Sequence, residues 1–281
     1  KVGEPMPELP EVQTVLDTLA CQMGHPVIEQ IEVIWDNIVH GDTQAFIAGL
    51  QGRRIEQYAR LGKYLCFDCG KVMWIAHLRM EGKFYLQQPQ EPYDQKHVHV
   101  IFHLDDGRQL RYHDTRKFGR MYLYEHQEDL HAYPCFANVG LDAFDERLTA
   151  DVLYRRLPGR SITLKQALLD QSVIAGVGNI YADEICFALR LHPQTRVSRM
   201  RKKDFEALIT EMRRILGGAV RAGGTTIRSY TSSLGVDGRF QLQLRVHAKK
   251  GERCPLCGEP IKKITVGGRG TYYCERCQKR R

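Results

Sequence analysis

The run Pro7-Glu8-Leu9-Pro10-Glu11-Val12 leads into the first helix expected in this chain. Pro10 suits the first turn of a helix, where its fixed φ fits and its missing N–H is not needed. Val12, Val15, Leu16 and Leu19 then follow at helical spacing, so an amphipathic helix is expected from Pro10 onward. Glu8 stands at the start of that helix, where the positive end of the macrodipole favours a carboxylate in any protein.

Outward from this helix the period changes from helical to alternating. Tyr64 to Phe67 and Val72 to Ala76 flank a break at Asp68, Cys69 and Gly70. Val98, Val100, Phe102 and Leu104 alternate with His97, His99, Ile101 and His103, and Asp106-Gly107 is a hairpin signal before Leu110 and Tyr112. Residues 25–125 therefore read as mostly antiparallel sheet. Beyond about residue 135 the chain turns helical. Thr149 is expected to cap a helix through Leu157, and Ser161 to cap another that buries Leu164, Ala167 and Leu168. A third helix is expected over Asn179 to Leu189. A fourth begins near Ser198, buries Phe205, Leu208, Ile209, Met212, Leu216, Ala219 and Val220 on one stripe, and ends at Gly223-Gly224. Thr225 to Arg239 is polar, contains Gly235 and Gly238, and reads as a mobile loop. The expected fold class is α+β, divided into 7–135, a linker at 136–148, a helical part at 149–240 and a hairpin module at 241–281.

The chain has 281 residues, of which 43% are hydrophobic and 26% charged, a globular composition with room for about two domains. Its formal charge is +8. Residues 241–281 hold eleven basic and three acidic side chains, so the whole excess lies there and the first 240 residues are balanced. Such a concentration suits a polyanion. No run of 18 apolar residues exists, so no membrane span is expected, and Lys1 to Met6 lack the apolar core of a signal peptide. Nine cysteines is an odd number, with four clustered near the end. That favours a reducing, cytoplasmic setting and a metal site over a secreted disulfide framework.

Cys254-x-x-Cys257 and Cys274-x-x-Cys277 are two knuckles that together offer a tetrahedral thiolate shell to one zinc ion. Four thiolates leave no open position for water, so the zinc is structural. Zinc with four thiolates adds −2, which brings the charge of the tail to about +6. Lys262, Lys263, Gly267, Gly268, Arg269 and Gly270 lie between the knuckles, with Arg269 at the expected hairpin tip, a pattern suited to nucleic acid. Cys66-x-x-Cys69 has no second pair and reads as core, and Cys21, Cys135 and Cys186 as ordinary reduced cysteines. His97, His99 and His103 could share one strand face, yet no nearby ligand completes a second metal site.

The opening run resembles the start of the formamidopyrimidine-DNA glycosylase family, bacterial enzymes that act on oxidised purines. Gly62-Lys63-Tyr64, His77-Leu78-Arg79-Met80-Glu81-Gly82, Asp114-Thr115-Arg116-Lys117-Phe118-Gly119, Gly178-Asn179-Ile180-Tyr181 with Asp183-Glu184, and the finger with Gly268-Arg269-Gly270-Thr271 are similar to its other motifs, in the same order. The resemblance implies an N-terminal β-sandwich with flanking helices, a helix–two-turn–helix unit and a zinc-finger hairpin, with damaged duplex DNA as partner in a cleft between the halves. It implies a monomer associated with the nucleoid through DNA. It also implies that Pro7 is the nucleophile, Glu8 the general acid/base, and Lys63 a catalytic and phosphate contact. Met80, Arg116 and Phe118 would fill the gap left by a flipped base, with Arg116 on the orphaned cytosine. His77, Asn179 and Arg269 would hold phosphates, Glu81, Lys165 and Tyr181 would support the lesion site, and residues 225–239 would cap it.

An amide-linked proline cannot attack, so the expected active form begins at Pro7, with Met6 as a removed initiator. Three other readings fit parts of the pattern. A sister endonuclease VIII would remove oxidised pyrimidines, although Leu9 and the set Met80, Arg116 and Phe118 favour purines. A non-catalytic damaged-DNA-binding protein would follow if Pro7 stayed blocked. A zinc ribbon for protein contact explains the cysteines but not the N-terminal motifs.

Overall fold

The computed structural model describes residues 6–157, 159–225 and 239–281, which fall into two compact units, 6–137 and 138–225 with 239–281. The first opens with α1 (Leu9–Met23), β1 (Ile28–Val33), α2 (Thr43–Leu50), β2 (Gln57–Leu61), β3 (Tyr64–Asp68) and β4 (Val72–His77). It continues with β5 (Lys83–Gln87), β6 (Val98–Leu104), β7 (Gln109–His113) and β8 (Arg120–Glu125). The strands form two four-stranded antiparallel sheets, β1-β6-β7-β5 and β2-β3-β4-β8. Trp74 of β4 stacks on Phe67 at 4.2 Å and meets Phe102 of the other sheet at 4.5 Å. Each sheet thus buries one face against the other, and Val12, Val15, Leu16 and Leu19 of α1 join the same core.

α2 is a helix that the alternating pattern did not announce. It has eight residues, too few for a helical period to stand out, and it forms because Asp42 accepts the Ala45 N–H at 2.6 Å while Phe46 and Leu50 bury one face.

The second unit holds β9 (Leu141–Asp142), α3 (Ala150–Arg156), α4 (Leu164–Leu169), β10 (Ile174–Ala175), α5 (Asn179–Ala188), α6 (Lys202–Arg221), β11 (Lys262–Val266) and β12 (Arg269–Tyr273). Thr149 caps α3 as expected. The cap of α4 is Thr163 rather than Ser161, because Thr163 and Gln166 satisfy each other's backbone N–H groups in a capping box. α6 starts at Lys202, after a separate 3₁₀ turn over Val197–Arg199, and Arg201 and Asp204 close its first turn. Phe187 of α5 packs with Val246, Ile261, Cys254 and Cys274, so the cysteine module shares a small core with the helical part. Among the described residues no helix is long and apolar enough to cross a membrane.

Candidate functional site

The start of α1 is a built feature. Pro7 is half-buried and Glu8 is only 2% exposed. Glu8 is the N-cap, and a capping box with Glu11 closes the turn, the Glu8 N–H donating to Glu11 Oε2 at 3.0 Å. The structural role open to any helix-start glutamate is therefore realised, and it holds the Glu8 carboxylate on the Glu11 N–H of the first turn. Arg60 of β2 donates to Gln13 Oε1 of α1 at 2.8 Å, tying the β2–β3 hairpin to this helix.

That hairpin turns on two residues, Gly62 and Lys63. Gly62 has φ 59°, a conformation natural to glycine, and the tight turn places Lys63 at the end of the sheet, almost wholly buried. His77, the last residue of β4, pairs with Tyr64 on one side and Arg120 on the other. Burial, then the charges of Arg79 and Lys63, lower the His77 pKa to about 3. Its Nδ1 accepts the Arg79 N–H at 2.9 Å, so the neutral ring must carry its proton on Nε2 and offer it as a donor. A lysine, an arginine and an imidazole donor thus gather at one sheet end.

Met80 and Arg116 lie 36 residues apart in sequence and are brought together with Phe118. The Arg116 guanidinium sits 3.0 Å from Met80 Sδ and 4.7 Å from the Phe118 ring centroid, and Phe118 is 49% exposed. Met80 stands on the β4–β5 connection, while the β7–β8 loop that carries Arg116 and Phe118 is fixed by Asp114, which is fully buried. Its carboxylate accepts the N–H of Arg116 at 2.9 Å, Phe118 at 3.0 Å and Gly119 at 2.8 Å, and its carbonyl is 2.8 Å from His99 Nε2. A Cβ on Gly119 would lie 1.8 Å from the Tyr112 hydroxyl, and one on Gly82 2.2 Å from it, so both positions accept only glycine without rearrangement. Glu81 is half-buried next to Met80. Asp114 was visible in the motif, but its role was not, since a motif letter does not show which N–H groups a carboxylate will meet.

In the second unit the β11–β12 hairpin turns on Gly267 and Gly268, both at positive φ, the combination a two-residue primed turn requires. Arg269 follows and is exposed. The next carbonyl, that of Gly270, accepts from Asn179 Nδ2 at 3.1 Å and from Lys165 Nζ at 3.2 Å. Lys165 is fully buried and pairs with the equally buried Asp183 at 2.6 Å. The other Asp183 oxygen meets His247 Nδ1 at 2.8 Å and the Tyr272 N–H at 3.2 Å. Glu184 accepts the N–H groups of Arg245, Val246 and His247, each at 2.9 Å, and burial raises its pKa against their pull. Tyr181 is buried with its ring 5.8 Å from that of Phe240. Lys165, Asn179 and Arg269 therefore belong to one local assembly, and Asp183 and His247, for which no role is legible in the sequence, stand at its centre.

The four sulfurs of Cys254, Cys257, Cys274 and Cys277 lie within 4.8 Å of one another, with 3.4 Å between Cys257 and Cys274 Sγ and 3.8 Å between Cys254 and Cys277 Sγ. A soft, closed four-sulfur set of this size fits one tetrahedral zinc ion. No other metal-ligand cluster occurs among the described residues. His99 is turned to the Asp114 carbonyl and His103 to Glu32, so the alternating histidines do not converge. A register shift between Val98 and Val100 breaks the alternation that would have put them on one face. Cys66 and Cys69 are both buried core thiols, and burial pushes Cys69 up to about 12. The expected capping loop at 225–239 falls almost entirely outside the described residues.

Three family models match consecutive parts of the chain. They are the formamidopyrimidine-DNA glycosylase N-terminal domain over residues 6–121, its H2TH domain over 139–231, and a zinc finger found in FPG and IleRS over 251–280. The formamidopyrimidine-DNA glycosylase of Bacillus licheniformis is 44% identical over 277 residues, covering 98% of this chain and all of the relative. That of Bacillus subtilis is 44% identical over 275 residues, covering 97% of this chain and 99% of the relative. Among solved structures, a complex of Lactococcus lactis Fpg with abasic-site DNA matches at TM-score 0.89 and 34% identity, covering 97% of this chain and all of that one. A complex of the same protein with DNA containing N7-benzyl-Fapy-dG matches at TM-score 0.89 and 34% identity, covering 98% of this chain and all of that one.

Proposed function

Because the chain belongs to the formamidopyrimidine-DNA glycosylase family, we propose that it excises oxidised purines, 8-oxoguanine and formamidopyrimidines, from duplex DNA and then cleaves the strand. The observation that carries this reading is the cluster of Met80 with Arg116 and Phe118, the latter two on a loop pinned by Asp114. A base must leave the stack before its sugar can be attacked, and the gap it leaves must be filled. A thioether and an exposed ring supply the wedge, and a guanidinium supplies donors for the widowed cytosine.

The chemistry follows from Pro7 once its nitrogen is free. An α-amino group has a pKa near 8, so a useful fraction is neutral at pH 7, unlike lysine. Its lone pair forms a bond to C1′ of the sugar, the glycosidic bond breaks, and the base departs with a proton. Ring opening gives an iminium, which acidifies the C2′ hydrogen. Loss of that proton expels the 3′ phosphate, and a second elimination expels the 5′ phosphate. Glu8, fixed beside Pro7, serves as proton donor and acceptor for these steps. Lys63 and the Nε2–H of His77 hold the phosphates that flank the sugar, as do Asn179 and Arg269 on the other unit. Glu81 and Tyr181 support the lesion site. Residues 225–239 are suited by composition to cover it. Zinc, held by the four cysteines, folds the finger and offers no open coordination position.

Strand cleavage of duplexes carrying either 8-oxoguanine opposite cytosine or thymine glycol tests this, using protein that begins at Pro7. Faster cleavage of the 8-oxoguanine duplex is expected. Preference for thymine glycol would contradict the purine assignment, and binding without cleavage of either would contradict the enzyme.

A further inference from the structure

We infer that Asp183, with His247 and Lys165 as its partners, is a positioning centre that joins the Asn179 end of α5 and the Arg269 hairpin into one phosphate-holding unit. The inference rests on the proposed phosphate contacts of Asn179 and Arg269 and concerns what makes them act together. Asp183 is fully buried and its two oxygens face different elements: Oδ1 takes Lys165 from α4, and Oδ2 takes His247 and the Tyr272 N–H. Lys165 then reaches the Gly270 carbonyl, immediately after Arg269, and Asn179 donates to the same oxygen. One carbonyl thus receives a donor from α4 and a donor from the first residue of α5. The Asn179 Oδ1 is buried with no hydrogen-bond partner among the described residues, so the side chain is oriented by its single bond to Gly270 rather than by local capping.

His247 is the member with no other function in view. Its Nδ1 meets Asp183, its ring meets the Tyr272 ring edge-on at 5.1 Å, and the Lys263 ammonium covers that tyrosine at 5.3 Å. The backbone N–H of the same residue is held by Glu184, the neighbour of Asp183 on α5. His247 is therefore fixed at both main chain and side chain to two consecutive carboxylates of one helix. Rotation of the hairpin would break the Asp183, Lys165 and Gly270 bonds at once, so Arg269 is held in register with α5. His247, Lys165 and Asp183 touch no reacting atom in this account and act through Asn179 and Arg269.

The test uses the full-length, zinc-loaded chain and a duplex containing a tetrahydrofuran abasic analogue, with affinity measured across a salt series. Each lost phosphate contact lowers the slope of log K against log salt by about 0.9. His247→Phe keeps the ring packing but removes the donor to Asp183. It is expected to weaken binding about tenfold or more and to lower the slope by up to about two contacts. His247→Asn, whose amide can take the place of Nδ1, is expected to restore both. Asn179→Ala and Arg269→Ala are expected to be non-additive, the double variant losing at least about fivefold less than the product of the singles. A wild-type slope in His247→Phe, an equal defect in His247→Asn, or multiplicative singles would overturn the inference. Arg269→Ala alone separates the two levels. If it leaves the slope unchanged, the phosphate reading fails; if it lowers the slope while His247→Phe does not, only the positioning centre fails.

Discussion

Two exposed features of this molecule that we propose meet DNA, the Arg116–Phe118 loop and the Arg269 hairpin, are each held by one buried aspartate, but the two aspartates work differently. Asp114 acts locally. It accepts the backbone N–H groups of residues two, four and five positions ahead, and the loop it pins is part of its own motif. Asp183 acts at a distance, binding Lys165, His247 and Tyr272, which come from 18 to 89 residues away. A local anchor forms with the chain segment that carries it. A distant one forms only after helices and finger have met, so its side chains depend on the folding of everything around it.

The sharpest way to break this comparison is to remove zinc. Structural zinc contributes on the order of 10 kcal/mol to folding a small finger. Chelation is expected to abolish the Arg269 phosphate contact and unfold residues 251–280 while the first unit keeps its near-ultraviolet spectrum. Loss of that spectrum on chelation would show that the two anchors are not independent.

Next in size is Asp183→Leu, which leaves a buried lysine without its counter-charge. We expect a loss of about 3–5 kcal/mol by denaturant unfolding. Asp114→Ala is expected to cost less, about 1–3 kcal/mol, because two of the three freed N–H groups, those of Arg116 and Phe118, lie on exposed residues that water can reach. Equal costs would erase the distinction.

Acid stability sharpens the picture of the first unit. His77 is held neutral by burial and by Arg79 and Lys63, with its pKa down at about 3. The unfolded histidine binds a proton near pH 6.5, so the unfolded state takes up protons first. Stability from this site is complete above about pH 6.5 and declines as pH falls toward 3. His77→Gln is expected to flatten that decline, and an unchanged pH profile of unfolding would count against the buried neutral ring.

The smallest effect on stability belongs to Met80→Ala and Phe118→Ala. Phe118 stands on a loop whose shape Asp114 sets and its ring is half-exposed, and Met80 is part-exposed on the β4–β5 connection, so unfolding should move by about 0.5 kcal/mol or less. Lesion excision is expected to fall clearly in both variants, with zinc content unchanged. Wild-type turnover would remove them from base flipping.

The same contrast explains what could be read before any coordinates. The four cysteines, the helix over Asn179 to Ala188 and the alternating strands were legible because each is set by spacing within a short segment. So was the Thr149 cap. The cap of α4 falls on Thr163 and not on Ser161 because two hydroxyls stand within three residues, and only the Gln166 contact selects Thr163. The eight residues of α2 were too short to show a period. Asp114 was legible as a letter and Asp183 as part of a motif, but the network through His247 was not, since nothing in the sequence near residue 247 points to residue 183. Lys165 was expected close to the lesion. Its ammonium lies between Asp183 and the Gly270 carbonyl, a placement that favours a positioning role.

Borohydride trapping on a duplex carrying 8-oxoguanine opposite cytosine, followed by peptide mapping of the adduct, bears most directly on the central claim. For protein whose first residue is Pro7, the account predicts one covalent adduct, located on Pro7. Strand cleavage with the adduct on a lysine, or with no adduct at all, would contradict it.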